Sequence, residues 1–440
     1  MACVMGVDVG TTHVKAILIQ ETGALSQAQV PTPWITRESE EVMRPDDLLC
    51  AVYQAIQEAL APAGPHLRID AIGVTSMGEA GLFVQSCGQS VISGWQDLEI
   101  TRPWFEELLR RYPAYMLYER TGVSPSPKFS LLHMKRHRVT LKDGHWLSVA
   151  DYLIWHWTGG VKATHASLAA RTMAFDWQSR HWDEELLHWA EMTTGHVPAL
   201  VASDGFAGEV VASVLPRLKG AQIFHAGHDH VAAAFGADLE GDEILDSTGT
   251  AEPLLVRTAR PVITSRTLEF QTMWGRSLFR DDSYIGLVPT PAGGGVERWA
   301  RETLGLPSKE AFEVRPFRES SVTFDAEGWT NRQASWRGIG RGTSRQVLYD
   351  AVLHGASKAV ARRLPWAEAV MGQRCRRLKV AGGITQHRLW LAIRAQYFPL
   401  RQHLMRPHDA ALVGAARYAA VGMGALWPLS VRWERYEEAP

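Results

Sequence analysis

The first stretch of the sequence that could do chemistry runs from Gly6 to Lys15 and reads Gly-Val-Asp-Val-Gly-Thr-Thr-His-Val-Lys. Apolar residues surround Asp8 and continue after Lys15, so the segment predicts a β-hairpin with a polar tip. The tip offers a carboxylate for a metal ion, a glycine backbone and two hydroxyls, which together suit a polyphosphate. The alternative is an ordinary hairpin whose aspartate and threonine side chains satisfy the turn.

The same pattern returns in the second half of the chain. Residues 243–246 predict a strand that again ends in an acid, Gly249 and Thr250 form the tip, and residues 251–256 predict the returning strand. Two hairpins of one pattern, one opening each half, imply an internal duplication with a cleft between the halves.

A third candidate is Asp229, which lies between two imidazoles in Gly227-His228-Asp229-His230, just after a predicted strand. The carboxylate could act as a general base, or it could cap the helix that follows. A zinc site formed by His225, His228 and His230 is a further alternative, but three ligands within six residues fit tetrahedral coordination poorly.

The elements around these residues indicate an α/β fold. Residues 4–7, 14–20 and 26–30 predict a strand meander, residues 46–60 an amphipathic helix, and residues 69–75 a buried strand that runs into Ser76-Met77-Gly78-Glu79. Polar residues at the end of such a strand lie at the sheet edge where ligands bind. Residues 103–221 are expected to be largely helical.

Size and composition set further bounds. The length of 440 residues predicts two domains, which we place at residues 1–241 and 242–440. Hydrophobic residues make up 46% and charged residues 21%, with a formal net charge of -1. The absence of a basic surplus argues against nucleic acid as a partner, and no sequence stretch is long and apolar enough to predict a membrane span.

The cysteines predict a reducing compartment. Cys3, Cys50, Cys87 and Cys375 are too far apart for a CxxC pair, so they read as reduced thiols. The N-terminus also lacks the basic region and long apolar core of a signal peptide. We therefore expect a cytoplasmic protein.

Taken together, these elements resemble the FGGY carbohydrate kinases of the actin-like ATPase superfamily over nearly the whole chain. The resemblance implies two actin-like (ribonuclease H-like) domains, each a mixed sheet flanked by helices, with an interdomain cleft. The segments that carry it are the two phosphate motifs, the segment of the catalytic aspartate and the adenosine-binding elements: Asp8 to Thr12, Gly249-Thr250, Gly227 to His230, Gly293-Gly294, Ala381 to Gly383 and Asp409 to Ala416.

The resemblance implies an enzyme that transfers the γ-phosphate of ATP to a sugar hydroxyl, with Asp229 as general base. Mg²⁺ is the implied cofactor, with Asp8 and Asp229 as its carboxylates. Lys15 either adds positive charge at the phosphates or points to solvent. The expected phosphate-binding residues are Asp8, Gly10, Thr11, Thr12, Lys15, Gly249 and Thr250.

For the sugar, the resemblance points to the residues after the strand at 69–75 and to one further turn. Family members specific for ketopentoses or glycerol usually carry a Met-His or Arg-Glu pair where this chain has Gly78 and Glu79, so Gly78 leaves extra room or a missing contact. Trp95 either offers an apolar surface to the sugar or packs in the hydrophobic core. The expected sugar-binding residues are Gly78, Glu79, Trp95, Asp97, His228 and His230.

For the nucleotide, glycines would let the backbone approach the ribose and adenine, although glycines in such positions also cap helices. Gln386 either hydrogen-bonds near them or starts a helix. The expected nucleotide-binding residues are Gly293, Gly294, Gly382, Gly383 and Gln386.

The sequence leaves several alternatives open. The expected substrate is a ketopentose such as xylulose or ribulose, while another polyol, a tetrulose or a hexulose remains an alternative. A rival from another class is a non-catalytic sugar- or nucleotide-binding regulator on the same fold, since Leu131 and His354 depart from the family pattern. A monomer or homodimer is expected.

Overall fold

The computed structural model describes most of the chain. The described residues are 2–21, 23–38, 40–85, 88–96, 98–138, 144–211, 215–314, 321–329, 333–425 and 431–436.

Strands and helices follow one another along most of the described chain. Up to residue 236 the strands are β1 (Cys3–Val9), β2 (His13–Gln20), β3 (Gly23–Pro31), β4 (Ile35–Arg37), β5 (Glu40–Met43), β6 (Ala71–Ser76), β7 (Gly81–Gln85), β8 (Gly88–Gln89), β9 (Ile92–Ser93), β10 (His145–Ser148), β11 (Ala163–Thr164), β12 (Phe175–Asp176), β13 (His181–Trp182), β14 (Ala199–Leu200), β15 (Phe206–Glu209) and β16 (Gln222–His228). From residue 237 onward the strands are β17 (Glu243–Thr248), β18 (Leu254–Thr258), β19 (Met273–Arg276), β20 (Tyr284–Val288), β21 (Thr323–Asp325), β22 (Ser335–Arg337), β23 (Arg377–Gly382), β24 (Gln402–Arg406) and β25 (Arg432–Arg435). The helices are α1 (Pro45–Leu60), α2 (Leu98–Arg111), α3 (Ala114–Thr121), α4 (Ser130–Arg138), α5 (Val149–Thr158), α6 (Ala166–Ala170), α7 (Glu184–Trp189), α8 (Asp229–Gly236), α9 (Ser265–Glu269), α10 (Gly294–Thr303), α11 (Arg345–Ala361), α12 (Leu364–Met371), α13 (Arg388–Ala395) and α14 (Ala410–Gly422).

The chain divides into two compact units. It leaves the first unit between Gly236 and Ala237, close to the boundary expected near Gly241, and two later segments return to the first unit. The first unit comprises Met1–Gly236, Ala259–Ile285 and Ala411–Ser430, and the second comprises Ala237–Thr258, Gly286–Ala410 and Val431–Pro440.

The main sheet of the first unit has the strand order β15-β16-β6-β1-β2-β3. Strand β1 pairs antiparallel with β2 and parallel with β6, and β6 pairs parallel with β16. Every residue of β1 is buried, as expected for a central strand that is covered on both faces. The predicted meander is confirmed, and β1, β6 and β16 all end at the same edge of the sheet.

Helices cover this sheet. Helix α1 packs against β2 and β3 with the apolar face predicted from its sequence, and α5 packs against β6 and β16. Helix α14 approaches most closely: a Cβ added to Gly73 of β6 would lie 1.8 Å from the carbonyl oxygen of Ala415. The alanine- and glycine-rich composition of α14 therefore lets its backbone contact the sheet, as its sequence predicts.

The sheet of the second unit repeats this order. Six consecutive strands of it run β20-β18-β17-β23-β24-β25, where β17 pairs antiparallel with β18 and parallel with β23. Strand β24 pairs parallel with β23 and antiparallel with β25, as β16 pairs with β6 and β15 in the first unit. The two units thus share one strand order, which supports the internal duplication inferred from the repeated hairpin pattern.

One local expectation needs correction. Residues 103–221 are not largely helical, because short strands from β10 to β15 lie between the helices. After Arg345 the chain forms two helices, of which α11 ends at Ala361 and α12 starts separately at Leu364. Helix α1 has Arg44 as its N-cap without a side-chain cap, and Pro45 occupies the first helical position, where its missing N–H costs nothing.

The helices within the described ranges include none with the length and apolar character that a membrane crossing requires.

Candidate functional site

The carboxyl ends of three parallel strands bring the predicted residues of the first unit together. In the sheet register Val9 of β1 lies beside Ser76 of β6, and Ser76 lies beside His228 of β16. The segments that follow these three strands carry the phosphate hairpin tip, Glu79 and Asp229. Residues more than 200 positions apart in the sequence thus meet at one sheet edge, where α/β proteins bind their ligands.

The first hairpin tip is held by its backbone. The Gly10 N–H donates to the His13 carbonyl at 3.0 Å, which closes the turn. The Thr32 hydroxyl donates to the Gly10 carbonyl at 2.8 Å, and the Trp34 indole N–H donates to the Thr11 carbonyl at 2.8 Å. These bonds fix the tip from the side of β3, so the tip is a rigid support for the predicted phosphate contacts.

Two charged residues flank this tip. Asp8 is buried, and its register partner across the hairpin is Lys15, which is half-buried. The Lys15 ammonium opposes the rise in the pKa of Asp229, so its charge acts on that carboxyl. Its role at the phosphates stays a prediction.

Asp229 lies at the junction of β16 and α8. Its Oδ1 accepts the His230 backbone N–H at 2.6 Å and lies 3.2 Å from Nε2 of His228, and its side chain is 23% exposed. Burial raises the pKa of Asp229 to about 7, an effect that the Glu79 charge reinforces and that the His230 amide, Arg171 and Lys15 oppose. A carboxyl with a pKa near neutrality can both accept and release a proton under physiological conditions.

The turn before Asp229 is constrained by its neighbours. Gly227 has φ +69°, and an added Cβ there would lie 2.2 Å from the Ser167 hydroxyl oxygen. That hydroxyl accepts the His228 backbone N–H at 3.0 Å, and the Thr75 hydroxyl donates to the Gly227 carbonyl at 2.8 Å. The turn therefore requires glycine at 227, and the surrounding polar contacts determine where Asp229 points.

His225 supports this turn through both ring nitrogens. Its Nδ1 accepts the Gly227 N–H at 3.1 Å, so Nε2 carries the proton and donates to Asp151 at 2.7 Å. Across the ranges that the structure describes, no group of three or more His, Cys, Asp or Glu residues could hold a metal ion. The zinc alternative from His225, His228 and His230 therefore gains no support.

The space at Gly78 is already filled. An added Cβ would lie 2.9 Å from Cγ of Arg171 and 3.0 Å from Cδ2 of His228. The expectation that Gly78 leaves extra room for the substrate is therefore wrong. The glycine instead makes room for two side chains from distant parts of the chain.

Glu79, next to it, is buried and holds a left-handed backbone conformation with φ +62°. A guanidinium N–H of Arg171 donates to Glu79 Oε1, and Nζ of Lys128 lies 3.5 Å from the same oxygen. Burial alone would raise the pKa of Glu79, but Arg171 and Lys128 outweigh it and hold that pKa below its ordinary value. Glu79 is therefore an ionised acceptor between two cationic donors.

Arg171 and Lys128 are the functional candidates that sequence reasoning missed. Both cations lie over the Phe129 ring, at 5.3 Å and 5.6 Å from its centroid. Within the described residues, the Nε–H of Arg171 and Nδ1 of His228 have no hydrogen-bond partner although both side chains are buried. Buried polar groups left in this state are expected to bind a ligand or water.

The second sugar-contacting turn is only partly described. Trp95 is half-buried and packs against the hydrophobic core of the first unit, which agrees with its core alternative. Asp97 lies outside the described residues.

In the second unit the structure brings the second hairpin tip and the glycine cluster together. The N–H groups of Gly294 and Gly295 donate to the carbonyls of Gly249 and Thr250 at 3.0 Å and 3.1 Å. A Cβ added to Gly293 would lie 2.9 Å from the Thr250 carbonyl oxygen. The predicted phosphate and adenosine elements are thus neighbours, and the glycines permit this approach.

The second glycine pair lies beside the same tip. A Cβ on Gly382 would lie 2.0 Å from the Thr248 carbonyl oxygen, so no side chain fits there. The Gly383 carbonyl accepts a hydrogen bond from Nζ of Lys309 at 3.2 Å, which places an additional cation at this element. Gln386 is exposed at the end of a short 3-10 helix, Gly383–Gln386.

These features define a class of protein: an α/β protein of two similar sheets with a repeated phosphate-type hairpin and a partly buried acid of near-neutral pKa. The N-terminal domain model of the FGGY family of carbohydrate kinases matches residues 3–236, and its C-terminal domain model matches residues 302–423. The chain belongs to this family and is a carbohydrate kinase, which transfers phosphate to an alcohol group.

Relatives and solved structures agree with this assignment. The chain is 26% identical to a glycerol kinase of Gloeobacter violaceus, over 96% of this chain and 88% of that protein. It is 26% identical to L-fuculokinase of Escherichia coli, over 96% of this chain and 92% of that protein. The xylulose kinase structure from Rhodospirillum rubrum aligns with a TM-score of 0.81 at 20% identity, over 100% and 94% of the two chains. The glycerol kinase structure from Plasmodium falciparum with ADP aligns with a TM-score of 0.81 at 17% identity, over 98% of this chain and 91% of that chain. The fold is therefore that of the two-domain, actin-like FGGY kinases.

Proposed function

We propose that this carbohydrate kinase phosphorylates a terminal hydroxyl of a ketose, with a ketopentose such as xylulose or ribulose as the favoured acceptor and Asp229 as the general base. The observation that carries this proposal is the environment of Asp229. Its carboxyl is only 23% exposed and accepts the His230 amide N–H, and burial together with the Glu79 charge raises its pKa to about 7. A hydroxyl is a poor nucleophile, and a base with this pKa can take its proton as the phosphoryl group transfers.

Glu79, Arg171 and Lys128 are proposed to bind the acceptor. The carboxylate of Glu79 accepts hydrogen bonds, while Arg171 and Lys128 donate them from either side. Such an arrangement suits two adjacent hydroxyls, each of which donates one hydrogen bond and accepts another. Ketopentoses carry this pair of hydroxyls, and so do the glycerol and L-fuculose named for two relatives.

The nucleotide contacts are proposed from the two hairpin tips and the glycine elements. Gly10, Thr11 and Thr12 would bind phosphate oxygens through backbone and hydroxyl groups, and Gly249 with Thr250 would do the same from the second hairpin. The adenosine is proposed to bind at Gly293, Gly294, Gly382, Gly383 and Gln386.

A divalent metal fits the acids of the first unit. Mg²⁺ in phosphoryl-transfer sites takes one or two carboxylates and completes its shell with phosphate oxygens and water. Asp8 and Asp229 are proposed to supply these carboxylates. The ion would neutralise charge on the transferring phosphate, while Asp229 holds the proton of the hydroxyl.

The test is an assay of ADP release in the presence of Mg²⁺ and ATP with xylulose, ribulose, L-fuculose, glycerol and gluconate as acceptors. We expect a ketopentose to stimulate ADP release most, and Asp229→Asn to lose roughly 10²- to 10⁴-fold of that rate. Asp204→Asn, at an exposed aspartate, is the matched control and should keep full activity.

Three results would contradict parts of the proposal. A preference for another acceptor would overturn the ketopentose assignment while leaving the kinase reaction intact. An Asp229→Asn variant as active as the wild type would remove Asp229 from the role of base. ADP release that no acceptor stimulates would favour a regulator on this fold.

A further inference from the structure

The second unit contains a cluster of three charged side chains that the proposed reaction does not use. Asp246 and Arg394 are 0% exposed, and Glu252 is 1% exposed. Arg394 donates through one guanidinium nitrogen to Glu252 Oε1 at 2.5 Å and through the other to Asp246 Oδ2. We call these three residues the buried triad.

The two acids of the buried triad flank the second hairpin tip, Gly249-Thr250. Asp246 lies on β17 three residues before Gly249, and Glu252 lies two residues after Thr250. Arg394 comes from α13 and contacts both acids, so one side chain joins the two ends of the loop. In the repeated sequence pattern Asp246 is the counterpart of Asp8, but it faces a guanidinium in the protein interior.

The charged side chains of the buried triad are suited to orienting the ends of the Gly249-Thr250 loop. Burying ions is costly, and apolar side chains of similar volume often stabilise a protein as well or better. A planar guanidinium, however, can bind two carboxylates in fixed directions, which an apolar side chain cannot do. The three charged groups are therefore better suited to holding the two ends of the Gly249-Thr250 loop in place than to stabilising the folded protein.

The balance of charge in the buried triad is also unusual. The carboxyls of Asp246 and Glu252 share the guanidinium of Arg394 and also face each other. The Thr248 hydroxyl faces Asp246 as well. Burial raises the pKa of Glu252 well above its ordinary value despite Arg394, and the Asp246 charge adds to that rise. The acid pair therefore holds a proton more strongly than exposed carboxyls do.

We infer that Arg394 is a positioning residue, which holds both ends of the Gly249-Thr250 loop through Asp246 and Glu252 so that the loop can bind the phosphates of ATP. This inference rests on the proposed function, because it requires the second hairpin to be a phosphate site. It adds a determinant of ATP affinity that touches neither ATP nor the acceptor.

The first test measures the dissociation constant of Mg-ATP by calorimetry, without acceptor, for wild type, Arg394→Lys and the control Arg388→Lys. Lysine keeps the charge but cannot contact two carboxylates in the guanidinium geometry. We expect Arg394→Lys to weaken ATP binding about tenfold, and Arg388→Lys, at an exposed position on the same helix, to leave it unchanged. The KM of the acceptor should stay the same in both variants.

Equal ATP affinity in wild type and Arg394→Lys would overturn the inference and leave the proposed function intact. A wild type that binds no ATP would overturn the inference and the proposed function together. A purely structural role predicts a lower unfolding midpoint with normal ATP affinity in the folded variant, which would also overturn it.

Glu252→Gln gives a second test that does not depend on Arg394→Lys folding. Glutamine keeps the length of Glu252 but removes its charge, so it weakens the contact of Arg394 with one end of the loop while Asp246 still holds the other end. We expect Glu252→Gln to weaken ATP binding less than Arg394→Lys does and to leave the KM of the acceptor unchanged. Wild-type ATP affinity in both Glu252→Gln and Arg394→Lys would contradict the inference.

Discussion

The replacement of Asp229 by asparagine should make the protein less active and more stable. The pKa of this carboxyl rises from 3.8 to about 7 in the folded chain because burial penalises its charged form. Asparagine has nearly the same shape, can still accept the His230 N–H and carries no charge. The variant therefore removes the energetic cost of ionising Asp229 while it keeps the local hydrogen bond.

The size and pH dependence of this effect follow from the two pKa values. Between pH 3.8 and about 7 the folded protein holds a proton that the unfolded chain has lost, so the free energy of unfolding falls as the pH rises. Each pH unit in this window corresponds to ~1.4 kcal/mol, which gives a full cost of ~4 kcal/mol above pH 7. Because the side chain is 23% exposed, water reduces this cost, and we expect ~2 to 4 kcal/mol.

The assay is urea denaturation of wild type, Asp229→Asn and the exposed control Asp204→Asn across about pH 5 to 9. The advantage of Asp229→Asn should grow with pH up to about 7 and then stay constant, while Asp204→Asn follows the wild type. Parallel pH curves for wild type and Asp229→Asn would refute the reasoning, because they would show that folding leaves the pKa of Asp229 unshifted.

The remaining predictions concern three glycines. Gly249→Val should keep the unfolding midpoint, because the nearest atom to an added Cβ is 3.5 Å away, but it should abolish ADP release by blocking the phosphates; normal activity would contradict the phosphate role. Gly78→Val should raise the KM of the acceptor more than that of ATP, because it displaces Arg171 from Glu79; an equal rise in both, measured by initial-rate kinetics, would argue against that contact. Gly227→Ala should destabilise the protein by roughly 1–3 kcal/mol in denaturation experiments, because φ is +69° and the Cβ would overlap Ser167; an unchanged midpoint would show that the turn relaxes freely.

The sequence determined the elements that depend on short-range patterns. The run of apolar residues around Asp8, the glycine-threonine tip and the returning strand defined a hairpin that the structure confirms as β1 and β2. The repeat of that pattern at Gly249 indicated an internal duplication, and the two sheets share one strand order. Such features are visible because each is formed by residues close together in the chain.

Tertiary structure decided which side chains occupy the spaces around these elements. Arg171 reaches Glu79 across 92 positions of sequence, and Arg394 reaches Glu252 and Asp246 across 142 and 148. No local pattern encodes these contacts, so Gly78 suggested extra room where the fold places an arginine. Asp246 looked like a second Asp8, but burial beside Arg394 gives it a different environment. The physical reason is that pairing of charges and filling of space depend on chain segments that only the fold brings together.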